Sequence, residues 1–307
     1  MWTFAVVAVL AGFGPEPLLP GSPWVLKGHG DTLTAVTFSP DSKRLASAAR
    51  DKTVKVWDLQ TGEPLQTLTV GQNQISALAF SADGKRLAVG DAALQATVID
   101  LSTGAVVKTI AHPDAVGEVA LSPDGATLVI AGLTDHAAAW DVATEKKLFT
   151  FKGRTARFSA DGKVLLTASS AGRFVVLDPK TGKVKKQVND DSPLATMTPD
   201  GKTIATWTVG SLDVRLWSAD GKALATLKGP VAEMDRRKAR LTGVGVLPDG
   251  KRVVTSAADG VVRLWSVETA KVTQTWPADK NTGLAVSPDG AWVAVLDSGL
   301  VKLWKLP

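Results

Sequence analysis

An all-β fold made of seven similar units is predicted by three features that recur along the chain. The first is a turn of the form Ser-Pro-Asp-Gly, which repeats with spacings of 42, 41, 37, 39, 49 and 40 residues. The second is a set of short runs that alternate apolar and polar residues between these turns. The third is a large apolar side chain about 16 residues after each turn. The Asp of the turn recurs at Asp41, Asp83, Asp124, Asp161, Asp200, Asp249 and Asp289.

Each unit has the anatomy of four short strands joined by hairpin turns. In the first unit the runs are Leu33 to Phe38, Arg44 to Ala48, Thr53 to Trp57 and Pro64 to Leu68. Runs of this length with period-two alternation are typical of antiparallel strands. The turn residues agree, because Pro fixes φ at the second turn position, Asp bonds its own backbone and Gly accepts a positive φ.

A large apolar side chain stands at one position of the third run in every unit, and we expect it to be buried against a neighbouring sheet. One four-stranded sheet cannot bury both of its faces, whereas sheets stacked face to face in a ring can. The first run of most units is rich in small residues, as the crowded centre of such a ring requires. We therefore predict a seven-bladed β-propeller of four-stranded antiparallel blades. The large residues are Trp57, Ile99, Trp140, Leu177, Trp217, Trp265 and Trp304.

One motif in the first unit carries a family resemblance. Gly28-His29, followed by Ser47, Asp51 and Trp57-Asp58, resembles a WD repeat. The resemblance extends over residues 24–307. It implies a structural hydrogen-bond network within the blade, formed here by the side chains of His29, Ser47, Asp51 and Trp57.

The other units keep only parts of this motif. The second and fourth units lack the Trp, and the sixth lacks the His. We therefore expect the network to stabilise one blade and apolar packing alone to hold the rest. The retained residues are Thr255, Asp259 and Trp265 in the sixth unit, and His112 and Trp140 in the third, where Thr134 replaces the Asp.

The last unit predicts how the ring closes. It ends with its third run, Val301 to Leu306, and has no fourth. The run Trp24 to Lys27 precedes the first unit and has no other partner, so we expect it to be the outer strand of the last blade. This arrangement removes an open sheet edge. The predicted division is residues 1–22 as an apolar N-terminal segment with a Pro-rich linker, and residues 23–307 as the propeller.

The first residues, Met1 to Gly14, are apolar but too few to span a bilayer. They resemble the apolar region of a secretory signal peptide, with a cleavage point after Ala11. No Lys or Arg occurs before Lys27, which departs from that pattern. Two interpretations stay open: export to an extracytoplasmic compartment, which we prefer, and a cytoplasmic protein with an apolar tail or a mis-assigned start.

Composition and charge narrow the chemistry that the chain can perform. The chain has 307 residues, is 45% hydrophobic and 21% charged, and carries a formal net charge of +5. It contains no Cys, so no thiolate nucleophile or metal ligand is available. The three His form no pair at metal-ligand spacing, and no Gly-rich loop links a strand to a helix as a phosphate site requires. We expect no metal and no cofactor.

Two titratable pairs have catalytic and structural interpretations. Asp135 and His136, in the turn before the Trp140 run, resemble a base with its orienting carboxylate, but we favour a structural role. Glu118 and Arg157 fall on adjacent innermost runs, where we predict an ion pair near the central channel. A channel enzyme needs several converging carboxylates, which the inner runs lack.

The most distinctive departure from the repeat is the long lead-in to the sixth unit, residues 230–240. Its cations are Arg236, Arg237, Lys238 and Arg240, and we predict that they bind an acidic partner segment. A solvated surface loop is the alternative. The further cluster Lys180, Lys183, Lys185 and Lys186 is interpreted as protection of an outer strand against edge pairing.

These observations favour a non-catalytic protein–protein interaction scaffold that displays loops on a rigid ring. The predicted contact loops are 230–240, 49–52, 133–136 and 258–260. A hydrolase using the central channel, and a binder of an anionic polymer or surface, are the alternatives. We expect one or more unidentified protein partners, no nucleic acid, no transmembrane span and a monomer.

Overall fold

The computed structural model describes residues 22–70, 73–208, 210–229, 240–278 and 281–307. These residues form seven four-stranded antiparallel sheets, each built from strands that follow one another in the chain, except the last. The sheets are the blades of a β-propeller, and the predicted all-β, seven-bladed fold is confirmed.

The blades follow the order of the sequence units. The strand that comes first in the chain is β1 (Trp24–Leu26), which belongs to blade 7. Blades 1 and 2 comprise β2 (Leu33–Phe38), β3 (Arg44–Ala49), β4 (Thr53–Asp58), β5 (Pro64–Thr69), β6 (Ile75–Phe80), β7 (Arg86–Asp91), β8 (Gln95–Asp100) and β9 (Val106–Ala111). Blades 3 and 4 comprise β10 (Val116–Leu121), β11 (Thr127–Gly132), β12 (His136–Asp141), β13 (Lys147–Lys152), β14 (Arg157–Phe158), β15 (Leu165–Ser169), β16 (Arg173–Leu177) and β17 (Val184–Asn189). Blades 5 to 7 comprise β18 (Leu194–Met197), β19 (Thr203–Trp207), β20 (Val214–Ser218), β21 (Ala223–Leu227), β22 (Leu241–Val246), β23 (Arg252–Ala257), β24 (Val261–Ser266), β25 (Lys271–Pro277), β26 (Asn281–Val286), β27 (Trp292–Asp297) and β28 (Leu300–Lys305), with β1.

The recurring turn between the first and second strands is held by one hydroxyl and one carboxylate. In blade 1 the Ser39 hydroxyl donates to Asp41 Oδ1 at 2.5 Å and accepts the Arg44 N–H at 2.9 Å. Burial of Ser39 leaves no water to replace these bonds. The same hydroxyl-to-Asp bond recurs in every blade except blade 6, where Leu247 stands in place of the Ser. This is the physical reason for the period seen in the sequence.

The hydrophobic core lies between blades rather than within one sheet. Val54 and Val56 of blade 1, for example, pack with Leu87 and Ile99 of blade 2. Each blade therefore supplies half of two core clusters, and no blade buries its apolar surface alone.

The large apolar residue of the third strand is fully buried in five of the seven blades. Trp140 and Trp217 are only partly buried, so the expectation of burial is wrong for these two. Trp140 adjoins the small residues of β12 and is covered by Lys147, whose Nζ lies 4.9 Å from the ring centre. Trp217 packs on Phe174 at 5.7 Å between ring centres. The buried five are Trp57, Ile99, Leu177, Trp265 and Trp304.

The ring closes through β1, as predicted. Trp24 pairs with Leu303 and Leu26 with Val301 in an antiparallel register. Leu26 is 2% exposed and packs with Trp57 of blade 1. The strand ends at Leu26, one residue earlier than expected, and it ties the first described residues to the last blade.

The two ends of the ring carry different connections. We call one end the loop face; it holds the connections between blades and the turns between the second and third strands of each blade. In blade 1 this turn is hydrogen-bonded to the segment before the inner strand and to the segment after the outer strand. Arg50 N–H donates to Thr32 O at 2.9 Å, and Val70 N–H donates to Lys52 O at 3.4 Å. The opposite end, the Asp-Gly face, holds the turns described above.

Blade 4 departs from the others because its inner strand, β14, has only two residues. The segment before it runs closely over β15: Arg154 N–H donates to Ala168 O at 2.7 Å, and the Thr155 hydroxyl accepts the Ala168 N–H at 2.8 Å. A Cβ on Gly153 would lie 1.8 Å from Thr167 Oγ1. A larger residue at position 153 would therefore require the Thr167 side chain to move.

Candidate functional site

The turn 49–52 on the loop face is held by the network of blade 1. His29 Nδ1 lies 3.0 Å from Asp51 Oδ2, and His29 Nε2 lies 2.8 Å from Ser47 Oγ. The Trp57 indole N–H donates to Ser47 Oγ at 2.8 Å. Asp51 Oδ2 also accepts the Gly30 N–H at 2.9 Å, which joins the turn to the lead-in of the inner strand. The four side chains named from the sequence thus meet in one place and order the turn.

The electrostatics of this network favour a neutral histidine beside an ionised aspartate. Burial lowers the pKa of His29, and this outweighs the opposing effect of Asp51. Burial alone would raise the pKa of Asp51, but hydrogen bonds from Thr53, Gly30 and His29 outweigh it and lower that pKa to about 2. Ser47 then donates to His29 Nε2 while it accepts from Trp57.

The expectation that packing alone holds the other blades is wrong for blades 5 and 6. In blade 6 the Trp265 indole N–H donates to Thr255 Oγ1 at 2.9 Å. In blade 5 the Trp217 indole N–H donates to Thr206 Oγ1 at 2.9 Å, and Thr206 donates in turn to Asp190. Thr206 is fully buried and Asp190 is 5% exposed, so these bonds have no solvent competitor.

The blade 5 network was missed in the sequence because Asp190 replaces the histidine of the motif. Both Asp190 and His29 stand four residues before an inner strand, at Leu194 and Leu33 respectively. Aligning the units on their inner strands, rather than on the motif letters, would have revealed it.

Where the hydroxyl or the tryptophan is missing, the remaining partner is left unpaired. Ile130 and Val295 stand at the Ser47 position of blades 3 and 7, and the buried indole nitrogens of Trp140 and Trp304 have no hydrogen-bond partner among the described residues. In blade 4, Leu177 stands at the Trp position. A buried Thr167 hydroxyl there has no partner in the described parts of the chain.

At the ring centre, Glu118 and Arg157 form the ion pair expected between adjacent inner strands. Arg157 Nη2 lies 2.7 Å from Glu118 Oε1, and Glu118 Oε2 accepts the Ala156 N–H at 2.9 Å. Burial raises the pKa of Glu118, against the influence of Arg157. The bond to Ala156 shows that Glu118 anchors the shortened inner strand of blade 4.

The long basic lead-in to blade 6 lies mostly outside the described residues, because 230–239 are not among them. Arg236, Arg237 and Lys238 belong to that range. Arg240 is described and exposed. Its carbonyl accepts the Ala258 N–H at 3.0 Å, and the next residue, Leu241, donates its N–H to Ser211 O at 3.2 Å. The end of this loop therefore joins the loop-face turns of blades 5 and 6.

The remaining candidates have defined partners. His136 is the first residue of β12 rather than a turn residue, and its Nδ1 lies 3.1 Å from Thr134 Oγ1. Asp135 accepts the Ser170 N–H at 3.0 Å, so it faces blade 4 and does not orient His136. Lys185 pairs with Asp178 at 3.2 Å next to the outer strand β17.

Among the described residues, no group of three or more His, Cys, Asp or Glu side chains is arranged to hold a metal ion. The same residues contain no helix whose length and apolarity would suffice for crossing a membrane.

Comparison with known proteins identifies the repeat. The family described as WD domain, G-beta repeat matches residues 22–58, 62–94 and 221–266. Telomerase protein component 1 of Mus musculus is 29% identical over 294 residues, covering 89% of this chain and 11% of that protein. The Target of rapamycin complex subunit wat1 of Schizosaccharomyces pombe is 27% identical over 214 residues, covering 52% of this chain and 68% of that protein.

A solved structure shares the fold. The Myceliophteria_thermophila Cps50 (Swd1) beta-propeller domain superposes with a TM-score of 0.80 at 17% identity, covering 93% of this chain and 100% of that one. WD repeat-containing protein 1 of Gallus gallus is 24% identical over 305 residues, 92% of this chain and 48% of that protein. The chain spans about a tenth to a half of the first curated relatives that it matches.

Proposed function

This chain is a WD-repeat β-propeller, and we propose that it is a non-catalytic scaffold whose loop face binds other proteins. The observation that carries the proposal is the double anchoring of the loop-face turns. In blades 1, 2, 3 and 6 the turn is hydrogen-bonded both to the lead-in of its inner strand and to the residue that follows its outer strand.

Rigid anchoring supports binding because the loops then lose little conformational entropy when a partner binds. The turns 49–52, 133–136 and 258–260 are built in this way. Loop-face connections also differ from blade to blade, whereas the Asp-Gly turns repeat. Variation on a rigid frame is the usual arrangement of a recognition surface.

We propose that Arg236, Arg237, Lys238 and Arg240 attract an acidic partner segment. Arg240 adjoins two loop-face turns, which supports this placement. Such exposed cations act mainly on the association rate and on its sensitivity to salt. The name of the wat1 relative describes a complex subunit, and it supports a role in assembly for this chain.

The enzyme alternative has less support. The inner strands bring Glu118 to Arg157 and to the Ala156 amide, an arrangement that fits a structural anchor. The anionic-polymer alternative is weakened because the cations that give the net charge of +5 are scattered around the chain.

Affinity capture from extract of the native cells tests the proposal. The bait is compared with a variant in which Arg236, Arg237, Lys238 and Arg240 are changed to Ser. A matched control changes Lys85, Lys163, Lys202 and Lys251 on the Asp-Gly face to Ser, with the same loss of charge. We expect defined proteins to be lost with the first variant and retained with the control. Equal loss from both variants, or no protein captured by any bait, would contradict the proposal.

A further inference from the structure

The loop-face end of blade 3 contains a concave region of about 740 Å³ that reaches towards both neighbouring blades. Its walls come from the connection after β9, the turn before β12, the end of β13 and the turn between β15 and β16. We call this region the blade 3 cavity. Its volume is that of a small-ligand or peptide site.

The cavity exists because the third strand of blade 3 has small side chains. Ala138 stands two residues before Trp140, and in four other blades the equivalent position carries a long cation. In blade 1, for example, Lys55 extends along the sheet to Thr67 Oγ1 at 2.9 Å. Ala138 lines the cavity and leaves that space open. The equivalent cations are Lys55, Arg215, Arg263 and Lys302.

The charge of the cavity lining is positive, because its cations outnumber its carboxylates. Lys147, Lys152 and Arg173 line it, against one carboxylate, Asp135, which is engaged by the Ser170 N–H. Neither Lys152 nor Arg173 makes a side-chain hydrogen bond or ion pair among the described residues. His112 and His136 also line the cavity.

One buried polar group in the cavity wall lacks a hydrogen-bond partner among the described residues. Ser169 is 3% exposed and lines the cavity, and its hydroxyl makes no hydrogen bond within the described parts of the chain. An unpaired buried hydroxyl costs free energy unless a bound group or solvent satisfies it. Ser169 faces Arg173 across the β15–β16 pair, which places a donor beside a cation.

Apolar side chains occur in the cavity lining, where Pro113 and Phe151 lie, and in two loop-face turns outside the lining. Leu94 is 42% exposed and Leu133 is 50% exposed, and both lie in loop-face turns, of blades 2 and 3 respectively. The other exposed large apolar side chains among the described residues lie on outer strands. The carbonyl of Leu94 accepts the N–H of His112, which lines the cavity. A small inorganic anion would leave this apolar surface uncovered.

We propose that the blade 3 cavity binds an extended peptide segment of a partner protein that carries acidic side chains next to an aliphatic one. The carboxylates lie against Lys152 and Arg173, the Ser169 hydroxyl donates to one of them, and the aliphatic side chain packs on Pro113 or Phe151 of the lining. This inference rests on the proposed scaffold function and names the chemistry of one partner segment.

Fluorescence anisotropy tests the proposal with a fluorescein-labelled peptide rich in Glu and carrying two Leu. The matched probe replaces every Glu with Gln. We expect the Glu peptide to bind and to be weakened by salt, and the Gln peptide to bind at least about tenfold more weakly. Lys152→Glu with Arg173→Glu should weaken the Glu peptide by at least about tenfold, while Lys163→Glu with Lys202→Glu on the Asp-Gly face should not.

A second variant separates docking in the cavity from general attraction of opposite charges. Ala138→Lys adds a cation but fills the cavity with a side chain that the fold accepts at this position in other blades. The proposal expects weaker peptide binding, whereas attraction by charge alone expects stronger binding, which would overturn it. Equal binding of a single-stranded oligonucleotide, with the same dependence on Lys152 and Arg173, would also overturn it in favour of a polyanion site.

The proposed function and the cavity proposal can fail separately. If the double Glu variant still captures every protein that the parent captures, and the peptide does not bind, the cavity proposal is wrong and the scaffold proposal stands. If no protein is captured by the parent chain, the scaffold proposal itself is contradicted.

Discussion

Thr206 accepts the indole N–H of Trp217 at 2.9 Å in blade 5, at the position where the Thr167 hydroxyl of blade 4 has no partner among the described residues. Both threonines lie in the second strand, and both are almost completely buried. A threonine at the same position of the blade therefore has a hydrogen-bonded hydroxyl in blade 5 and, among the described residues, an unbonded one in blade 4.

Thr206→Val should destabilise the protein by about 1–3 kcal/mol, because the Trp217 indole and the buried Asp190 carboxylate both lose a partner. Denaturant unfolding followed by Trp fluorescence measures this free energy. Thr206→Ser keeps the hydroxyl and serves as the control. A loss of less than about 0.5 kcal/mol for Thr206→Val, as for an ordinary surface change, would contradict the role assigned to this bond.

Thr167→Val should be neutral or stabilising by up to about 1 kcal/mol, because it replaces an unsatisfied hydroxyl with an apolar group of similar shape. The measurement is the same unfolding experiment, with the variant compared directly with Thr206→Val. Destabilisation of similar size in both variants would show that the Thr167 hydroxyl has a partner that the structure does not reveal.

The blade 1 network predicts a loss of stability at acidic pH. The pKa of Asp51 lies near 2 in the folded protein, below the ordinary value of 3.8. A carboxylate with a depressed pKa stabilises the fold above its unfolded value, and this contribution is lost as the pH falls through the folded value. Asp51→Asn should therefore lose less stability than the parent between about pH 4 and pH 2. Parallel curves for the two proteins, from thermal unfolding over that range, would refute this assignment.

Ring closure depends on the short strand β1. Leu26→Ala removes a side chain that is 2% exposed and packs against Trp57 across the closure. We expect a loss of about 2–5 kcal/mol in the free energy of unfolding. Leu65→Ala, on an exposed outer-strand position, is the control and should change it by no more than about 0.5 kcal/mol. Equal small effects would indicate that β1 is not essential to closure.

Much of this fold follows from local sequence signals. The Asp-Gly turns and the alternating runs are determined within a few residues, so the seven units and their strands were predictable. The pairing of β1 with β28 also followed, because one blade lacked a strand and one run lacked a blade. The network residues of blade 1 were identified through the motif in which they occur.

Features that depend on contacts between units were not predictable in the same way. Asp190 replaces a histidine, so the motif letters did not indicate its role, which the structure shows through its hydrogen bond to Thr206. The partial exposure of Trp140 depends on the small residues beside it and on Lys147 from the next strand. The blade 3 cavity combines a missing side chain at Ala138 with cations from two blades, and no single stretch of sequence displays that combination.

The central claim, that the loop face binds proteins, is tested most directly by lysine labelling of the chain in its captured complex. Lys52 and Lys152 are exposed on the loop face, whereas Lys85, Lys163 and Lys202 are exposed on the Asp-Gly face. Mass spectrometry compares the labelling of each lysine in the complex with that in the purified chain alone. We predict protection of Lys52 or Lys152, or both, with unchanged labelling on the Asp-Gly face. Protection confined to the Asp-Gly face would contradict the claim.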